Sequence, residues 1–186
     1  MTIDELIQDA QRRMDKSIEA TRAELNGVRT GRASATLLDR IQVDYYGQRT
    51  PLRQLATINV PEPRMLTIQP FDPNSVKSIE RAIQESDLGL TPSTDGKLIR
   101  LPIPQLTEER RKELVRYVRH LAEDGRVAVR NVRRDVIHHL KELVDKGDVG
   151  ADEEHRAEQR VQELTDGHTK SIDELLKHKE AEILEV

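Results

Sequence analysis

A mixed α+β protein, in which an elongated three-helix bundle is interrupted by a small β/α/β insertion, is what three observations predict. Apolar residues recur every three or four positions near both ends of the chain and, most regularly, between Leu106 and Lys146. From Gly31 to Pro104 the pattern changes to short, β-rich alternating runs. All eight prolines fall in that middle part, seven between Pro51 and Pro102 and the last at Pro104. The expected organisation is a discontinuous bundle of residues 1–30 and 105–186 around an inserted α/β domain at 31–104.

The first helix is predicted over residues 2–29. Ile3, Ile7, Ala10, Met14, Ile18, Thr21, Leu25 and Val28 line one face, and Asp4 and Glu5 suit the positive end of the helix dipole. Within the insertion, Ile41, Val43 and Tyr45 alternate toward Tyr46-Gly47, Leu55 to Val60 and Met65 to Gln69 are β-rich, and Asp95-Gly96 turns the chain before Ile99, Leu101 and Ile103. One short helix breaks the strands: Asp72 caps it, Pro73 takes its first position, Val76, Ile79 and Ile83 share a face, and Gly89 follows its end.

The second long helix places Leu114, Val118, Leu121, Gly125, Val129, Val132, Val136, Leu140 and Leu143 on one narrow stripe. With roughly 40 residues at about 1.5 Å each it is on the order of 60 Å long. Thr107 is placed to cap it, although Arg110 stands where a capping box wants Glu or Gln. Lys146-Gly147-Asp148-Val149-Gly150 lets the chain reverse, and Asp152 is the expected cap of a third helix with Ala157, Val161, Leu164, His168, Ile172 and Leu175 on its seam, which continues through Lys179 to Ile183. Two glycines lie inside predicted helices. Gly125 is on the seam, where a missing side chain lets two helices approach closely; nothing in the sequence accounts for Gly167.

Two crossings join the domains, one through Arg29, Thr30, Gly31 and Arg32, the other through Leu101, Pro102, Ile103, Pro104 and Gln105. A glycine that frees one crossing and prolines that stiffen the other suit a limited hinge at Thr30–Arg32 and Pro102–Gln105. The alternative is that Gly31 merely ends the first helix.

The charges of the central helix are sorted. Arg116, Arg119, Arg126, Arg130, Arg133, Arg134 and Lys141 occupy one side, while Glu113, Asp124, Asp135 and Glu142 gather on another, with Glu123 the exception on the basic side. Between Arg110 and Lys141 there are ten Lys or Arg against four Asp or Glu, a net +6, in a chain whose total is −4; from Asp152 to Val186, five basic against eleven acidic residues make −6. A mildly acidic protein with one concentrated cationic rail presents a surface for phosphates. The competing reading is a solvated charged face. With no Trp, one Phe and three Tyr, a binder that stacks a run of bases on aromatic platforms is not expected, which leaves structured RNA or duplex.

Composition excludes other classes. The absence of Cys rules out disulfides and thiolate chemistry and fits a reducing compartment. The acidic start Met1–Leu6 is unlike a targeting segment, and no apolar window approaches membrane-spanning length, so a cytoplasmic protein is expected. His138 and His139 are neighbours on a helix and point about 100° apart, which disfavours a shared ion. Asp135/His138 and Asp152/His155 have one-turn spacing, yet the stripes that would have to supply further ligands are apolar. His168 on a seam is a packing residue more readily than a ligand. Gly89 and Gly96 are too far apart for a phosphate-cradling loop. No catalytic residue, metal or cofactor is expected. Two function classes remain, an RNA-binding factor and a helical adaptor whose basic face binds an acidic protein surface.

Six blocks favour the first of them. Arg29-Thr-Gly-Arg-Ala33, Tyr45-Tyr-Gly47, Pro51-Leu-Arg-Gln-Leu-Ala56, Ser86-Asp-Leu-Gly-Leu90, Leu106-Thr-Glu-Glu-Arg-Arg-Lys112 and Val127-Ala-Val-Arg-Asn-Val-Arg-Arg-Asp135, with the closing Lys179-Glu-Ala-Glu-Ile183, occur in order along the whole chain. In these the sequence resembles the bacterial ribosome recycling factors. The resemblance implies an L-shaped monomer that binds large-subunit ribosomal RNA near the inter-subunit bridges. It implies that, with elongation factor G and GTP, the protein splits the post-termination ribosome and releases it from messenger RNA. The family's RNA-contacting arginines carry over to Arg130 and Arg133, and those of the hinge to Arg29 and Arg32; with the rail read from the helix wheel, the expected RNA-binding set is Arg29, Arg32, Arg119, Arg126, Arg130, Arg133 and Arg134. The Gly167-His168 pair departs from side chains better suited to a helix in many members.

Overall fold

The structure is a computed structural model that describes residues 1–185; Val186, the last residue of the predicted bundle, lies outside the described residues. In chain order the elements are α1 (Ile3–Asn26), β1 (Gln42–Tyr45), β2 (Gln48–Pro51), β3 (Ala56–Glu62), β4 (Met65–Pro70), α2 (Val76–Glu85), β5 (Ser93–Asp95), β6 (Leu98–Pro102), α3 (Glu108–Asp145) and α4 (Ala151–Leu184). They form two compact units, Met1–Arg29 with Glu108–Glu185, and Thr30–Thr107. The predicted α+β class is the observed one.

In the first unit α1, α3 and α4 pack together along the predicted seams. Ala10, Met14, Ala122, Val129, Leu140, Val161 and Ile172 are shut off from solvent. Each apolar side chain of Val or Leu size buried in this way contributes about 1.5–3 kcal/mol. The termini differ in detail from expectation. α1 opens with a capping box: the Thr2 hydroxyl accepts from the Glu5 N–H, and the Glu5 carboxylate accepts from the Thr2 N–H. It ends at Asn26 with Gly27 as its cap, so Gly31 does not terminate it. α4 starts at Ala151 after Gly150, which places Asp152 in the first turn beside Glu153 and Glu154 rather than at the cap.

Two seam positions shift by one residue. Ala122 is buried and Leu121 only half-buried; Thr165 is buried and Leu164 half-buried. Thr165 enters the core because its hydroxyl donates to the Val161 carbonyl at 2.8 Å, and Thr21 does the same to Ser17 at 2.8 Å, so neither leaves a polar group unpaired. Gly125 is buried where the three helices converge. A Cβ there would fall against Thr21 Oγ1, well inside contact distance, and 3.2 Å from Ile172 Cδ1. Gly167 is exposed, and a Cβ would meet nothing within 4 Å. With open space and a helical backbone, Gly167→Ala is expected to stabilise the protein by about 0.5–1 kcal/mol, measured by urea unfolding.

The second unit is an antiparallel α+β domain. β1 pairs with β2, and the other strands form a four-stranded sheet in the order β3-β4-β6-β5. Leu66 and Ile68 of β4 and Ile99 and Leu101 of β6 send their side chains into a core with Val43, Leu52, and Ile79 and Ile83 of α2. Pro61 is tolerated because β3 is an edge strand. β2 and β5 have no predicted counterpart. Their residues Gln48-Arg49-Thr50-Pro51 and Ser93-Thr94-Asp95 carry no apolar alternation, and all of β5 is exposed.

Asp72 ties this unit together. One carboxylate oxygen accepts from the Asn74 N–H at 2.9 Å, capping the 3₁₀ turn Pro73–Ser75 that leads into α2. The other accepts from the Tyr45 hydroxyl at 3.0 Å and the Tyr46 hydroxyl at 3.3 Å, fastening the β1–β2 turn to the start of that helix. The Asn74 N–H and then the Tyr45 hydroxyl hold the Asp72 carboxyl below the usual carboxylate range. The same bond is the main reason the Tyr45 hydroxyl is pushed up. A carboxyl whose pKa is lowered by folding contributes fully above its unfolded value of about 3.9 and loses that contribution as pH falls through the folded value. Asp72→Asn is therefore expected to lower the melting temperature at neutral pH and to flatten the loss of stability across the acid range below about pH 4. Thermal melts across that range read both effects.

Candidate nucleic-acid interface

α3 runs for 38 residues with buried positions at Leu114, Val118, Ala122, Gly125, Val129, Val132, Val136 and Leu140, and this fixes where its other side chains stand. The predicted arginines fall into three environments.

Arg119 and Arg126 reach across to α4. Arg119 Nε donates to Glu180 at 2.6 Å, while Arg126 donates to Asp173 through Nε at 2.9 Å and an η nitrogen at 2.6 Å, and to Glu123 at 3.1 Å. Arg130 closes the same group by donating to Glu123 at 2.6 Å. Burial works against the charge of Arg126, but its bonds to Asp173 and Glu123 outweigh it and hold its pKa up; Glu180 does the same for Arg119. Glu123 is drawn below its ordinary range by Arg130 and then Arg126. The +6 of the Arg110 to Lys141 stretch is thus partly answered within the bundle by the acids of α4. Exposed pairs of this kind add little stability, so their chief effect is to reduce the field of the rail.

Arg133 differs from expectation. It is half-buried, with one η nitrogen donating to Gln162 of α4 at 3.0 Å and Nε shut off from solvent without a partner. The stripe of α3 is wide enough at this level to draw the base of the side chain in, while its only polar partner among the described residues is a neutral amide. Arg134 and Arg29 are the opposite case, exposed and without an intramolecular partner among the described residues. Arg32 is exposed and engaged within the chain. Among the described residues the predicted set therefore contains two fully available guanidinium groups, Arg29 and Arg134, and others whose forks are already partly occupied.

At the proposed hinge, Gly31 has φ +78° and a Cβ there would sit 2.9 Å from Leu106 Cγ, so glycine is required both by the backbone and by the approach of Leu106. Among the described residues no three His, Asp or Glu side chains gather as a metal site would require. Asp135 accepts from Arg13 of α1 at 2.7 Å, His138 faces Glu142, and His155 faces Gln159. No described helix is long and apolar enough to cross a membrane. His168, predicted as a packing residue, is half-buried between the Leu164 carbonyl at 2.6 Å and Asp15 of α1 at 2.7 Å.

What the geometry defines is a class: a three-helix bundle interrupted by an antiparallel α+β unit, with arginines on one side of its longest helix. Residues 21–184 match the family model described as ribosome recycling factor. The chain belongs to the ribosome recycling factor family, a family of translation factors. It is 58% identical over 180 residues to the ribosome-recycling factor of Rubrobacter xylanophilus, covering 97% of each chain, and 54% identical over 182 residues to that of Enterococcus faecalis, covering 98% of each. Among solved structures it is similar to a solution structure of a ribosome recycling factor, with a TM-score of 0.72 at 42% identity over 100% of this chain and 99% of that one. It is also similar, with a TM-score of 0.63 at 48% identity over 99% of this chain and 100% of the other, to the T. thermophilus ribosome recycling factor described with E. coli elongation factor G on the E. coli post-termination complex.

Proposed function

We propose that this protein recycles ribosomes after termination. It binds the post-termination ribosome through large-subunit ribosomal RNA near the inter-subunit bridges. With elongation factor G and GTP, it promotes splitting into subunits and release from messenger RNA. The observation that carries this reading is the 48% identity, over 99% of this chain, with a recycling factor described on the post-termination complex beside elongation factor G. The protein works as a cytoplasmic monomer and performs no catalysis of its own; GTP enters with the translocase.

The contact surface is the basic side of α3 with the first crossing: Arg29, Arg32, Arg119, Arg126, Arg130, Arg133 and Arg134. Guanidinium forks on a rigid helix suit an A-form duplex, whose deep groove hides base edges but leaves phosphates and 2′-hydroxyls accessible. Arg29 and Arg134 contribute most because no partner among the described residues must be displaced, whereas Arg119 and Arg126 must first leave Glu180 and Asp173.

Light scattering of post-termination ribosomes tests the reading. Scattering should fall only when this protein, elongation factor G and GTP are all present; no fall with an active translocase would favour an adaptor that binds an acidic protein. The hinge has its own test. Since Gly31 combines a positive φ with the contact to Leu106, Gly31→Ala is expected to slow recycling several-fold more than it weakens ribosome binding. Equal recycling rates would remove the hinge from the mechanism.

A further inference from the structure

The bundle unit contains a single aromatic residue, Tyr117, since the other three, Tyr45, Tyr46 and Phe71, lie in the inserted unit. A bundle short of aromatic core would be expected to bury it. Instead Tyr117 is 49% exposed. It stands over an open groove of about 710 Å³ formed by the end of α1 and the start of α3, a size in the range of sites that take small ligands. Its apolar lining is the buried Val28 and Leu114 with the exposed Ala23 and the side-chain-free Gly27 beside them. The rim is charged. Arg29 is exposed and has no partner among the described residues, and so is Glu24 on the same rim. Arg110 is engaged with Glu113 at 2.9 Å, which answers the second acid of the rim.

An exposed ring, an apolar lining, one available guanidinium and one available carboxylate form a complementary set for a nucleotide. The ring offers a stacking face, Arg29 a donor fork for phosphate, and Glu24 an acceptor for the amino protons on a base edge. We propose that this groove takes a single unpaired nucleobase of RNA, stacked on Tyr117 with its phosphate on Arg29. One such site is compatible with an aromatic-poor chain, because it anchors one flipped-out base and does not track a strand. The inference rests on the RNA-binding reading above and adds to a shape-reading helix a point at which an individual nucleotide is held.

The test uses the full chain and purified large ribosomal subunits. Tyr117→Ala is expected to weaken binding roughly 5- to 100-fold, the range for loss of one base–aromatic stack, while Tyr117→Phe binds as the unaltered protein does. The chain has no Trp, so Tyr117→Trp places a sole indole in the groove, and its emission should be quenched on mixing with subunits. Chemical probing should show one unpaired base protected by the unaltered protein and reactive with Tyr117→Ala. If Tyr117→Ala binds normally while Arg134→Ala binds weakly, the stacking site is wrong and the RNA-binding face stands. If Tyr117→Ala weakens binding but no base gains protection and the indole is not quenched, the groove contacts protein and the nucleobase assignment is overturned. If neither variant weakens binding, the RNA-binding reading fails with it.

Discussion

Gly125→Ala is expected to destabilise the protein by about 1–3 kcal/mol, the usual range for overpacking a core. Helix propensity alone predicts the reverse, a gain of about 1 kcal/mol. The sign is decided by what the new methyl group meets. Thr21 Oγ1 lies inside contact distance and its hydroxyl is committed to the Ser17 carbonyl, while Ile172 Cδ1 closes the other side. Both neighbours belong to buried seams, so neither yields without moving a helix. Urea unfolding measures the change, and Thr21→Ala in the Gly125→Ala background should restore part of it. A more stable Gly125→Ala protein would mean that the helices do not meet this closely.

Replacing Arg29 and Arg134 together by Ala is expected to weaken binding to large ribosomal subunits about 100-fold, from two charge-assisted contacts worth at least roughly 1.5 kcal/mol each. Its melting temperature should not move, because neither side chain has an internal partner among the described residues. Arg126→Ala is a less specific probe, since it also severs Asp173 and Glu123. Arg133→Ala is similarly compromised by the Gln162 contact and the enclosed Nε. Equal affinity of the double variant and the unaltered protein would take the basic face out of the interaction.

The helices were legible because long seams repeat one signal many times. Met14, Val129, Leu140 and Ile172 lie where a 3.6-residue period puts them. The misplacements have a common cause. Ala122 and Thr165 are small or polar, so apolar weighting favours their neighbours Leu121 and Leu164. Close helix approach around Gly125 and Thr21 selects small residues, and a hydroxyl bonded one turn back makes threonine acceptable inside. In the inserted unit β1, β3, β4 and β6 announce themselves by apolar alternation. β2 and β5 do not, and only the turns at Tyr46-Gly47 and Asp95-Gly96 point to a returning strand.

The candidate site was legible in its charge and not in its pairing. A wheel drawn for one helix sorts Arg119, Arg126, Arg130 and Arg134 onto a side, but it contains no information about which acids of another helix stand opposite. Only the packing of α4 on α3 brings Glu180 and Asp173 to the first two. The opposed charges of the two segments were the available signal, because stretches of +6 (Arg110 to Lys141) and −6 (Asp152 to Val186) in one bundle are expected to pair across their interface. The Tyr117 groove had no such signal, since the end of α1 and the start of α3 are about 80 residues apart in sequence.

The most direct test of the central claim is the affinity of this protein for large ribosomal subunits between about 50 and 200 mM monovalent salt. If arginines on α3 and at Arg29 neutralise RNA phosphates, the logarithm of the affinity falls linearly with the logarithm of salt. The Arg29→Ala, Arg134→Ala double variant then gives a slope shallower by about 1.5–2, one phosphate being lost for each arginine. An affinity that does not change with salt, or an unaltered slope in the double variant, would contradict it.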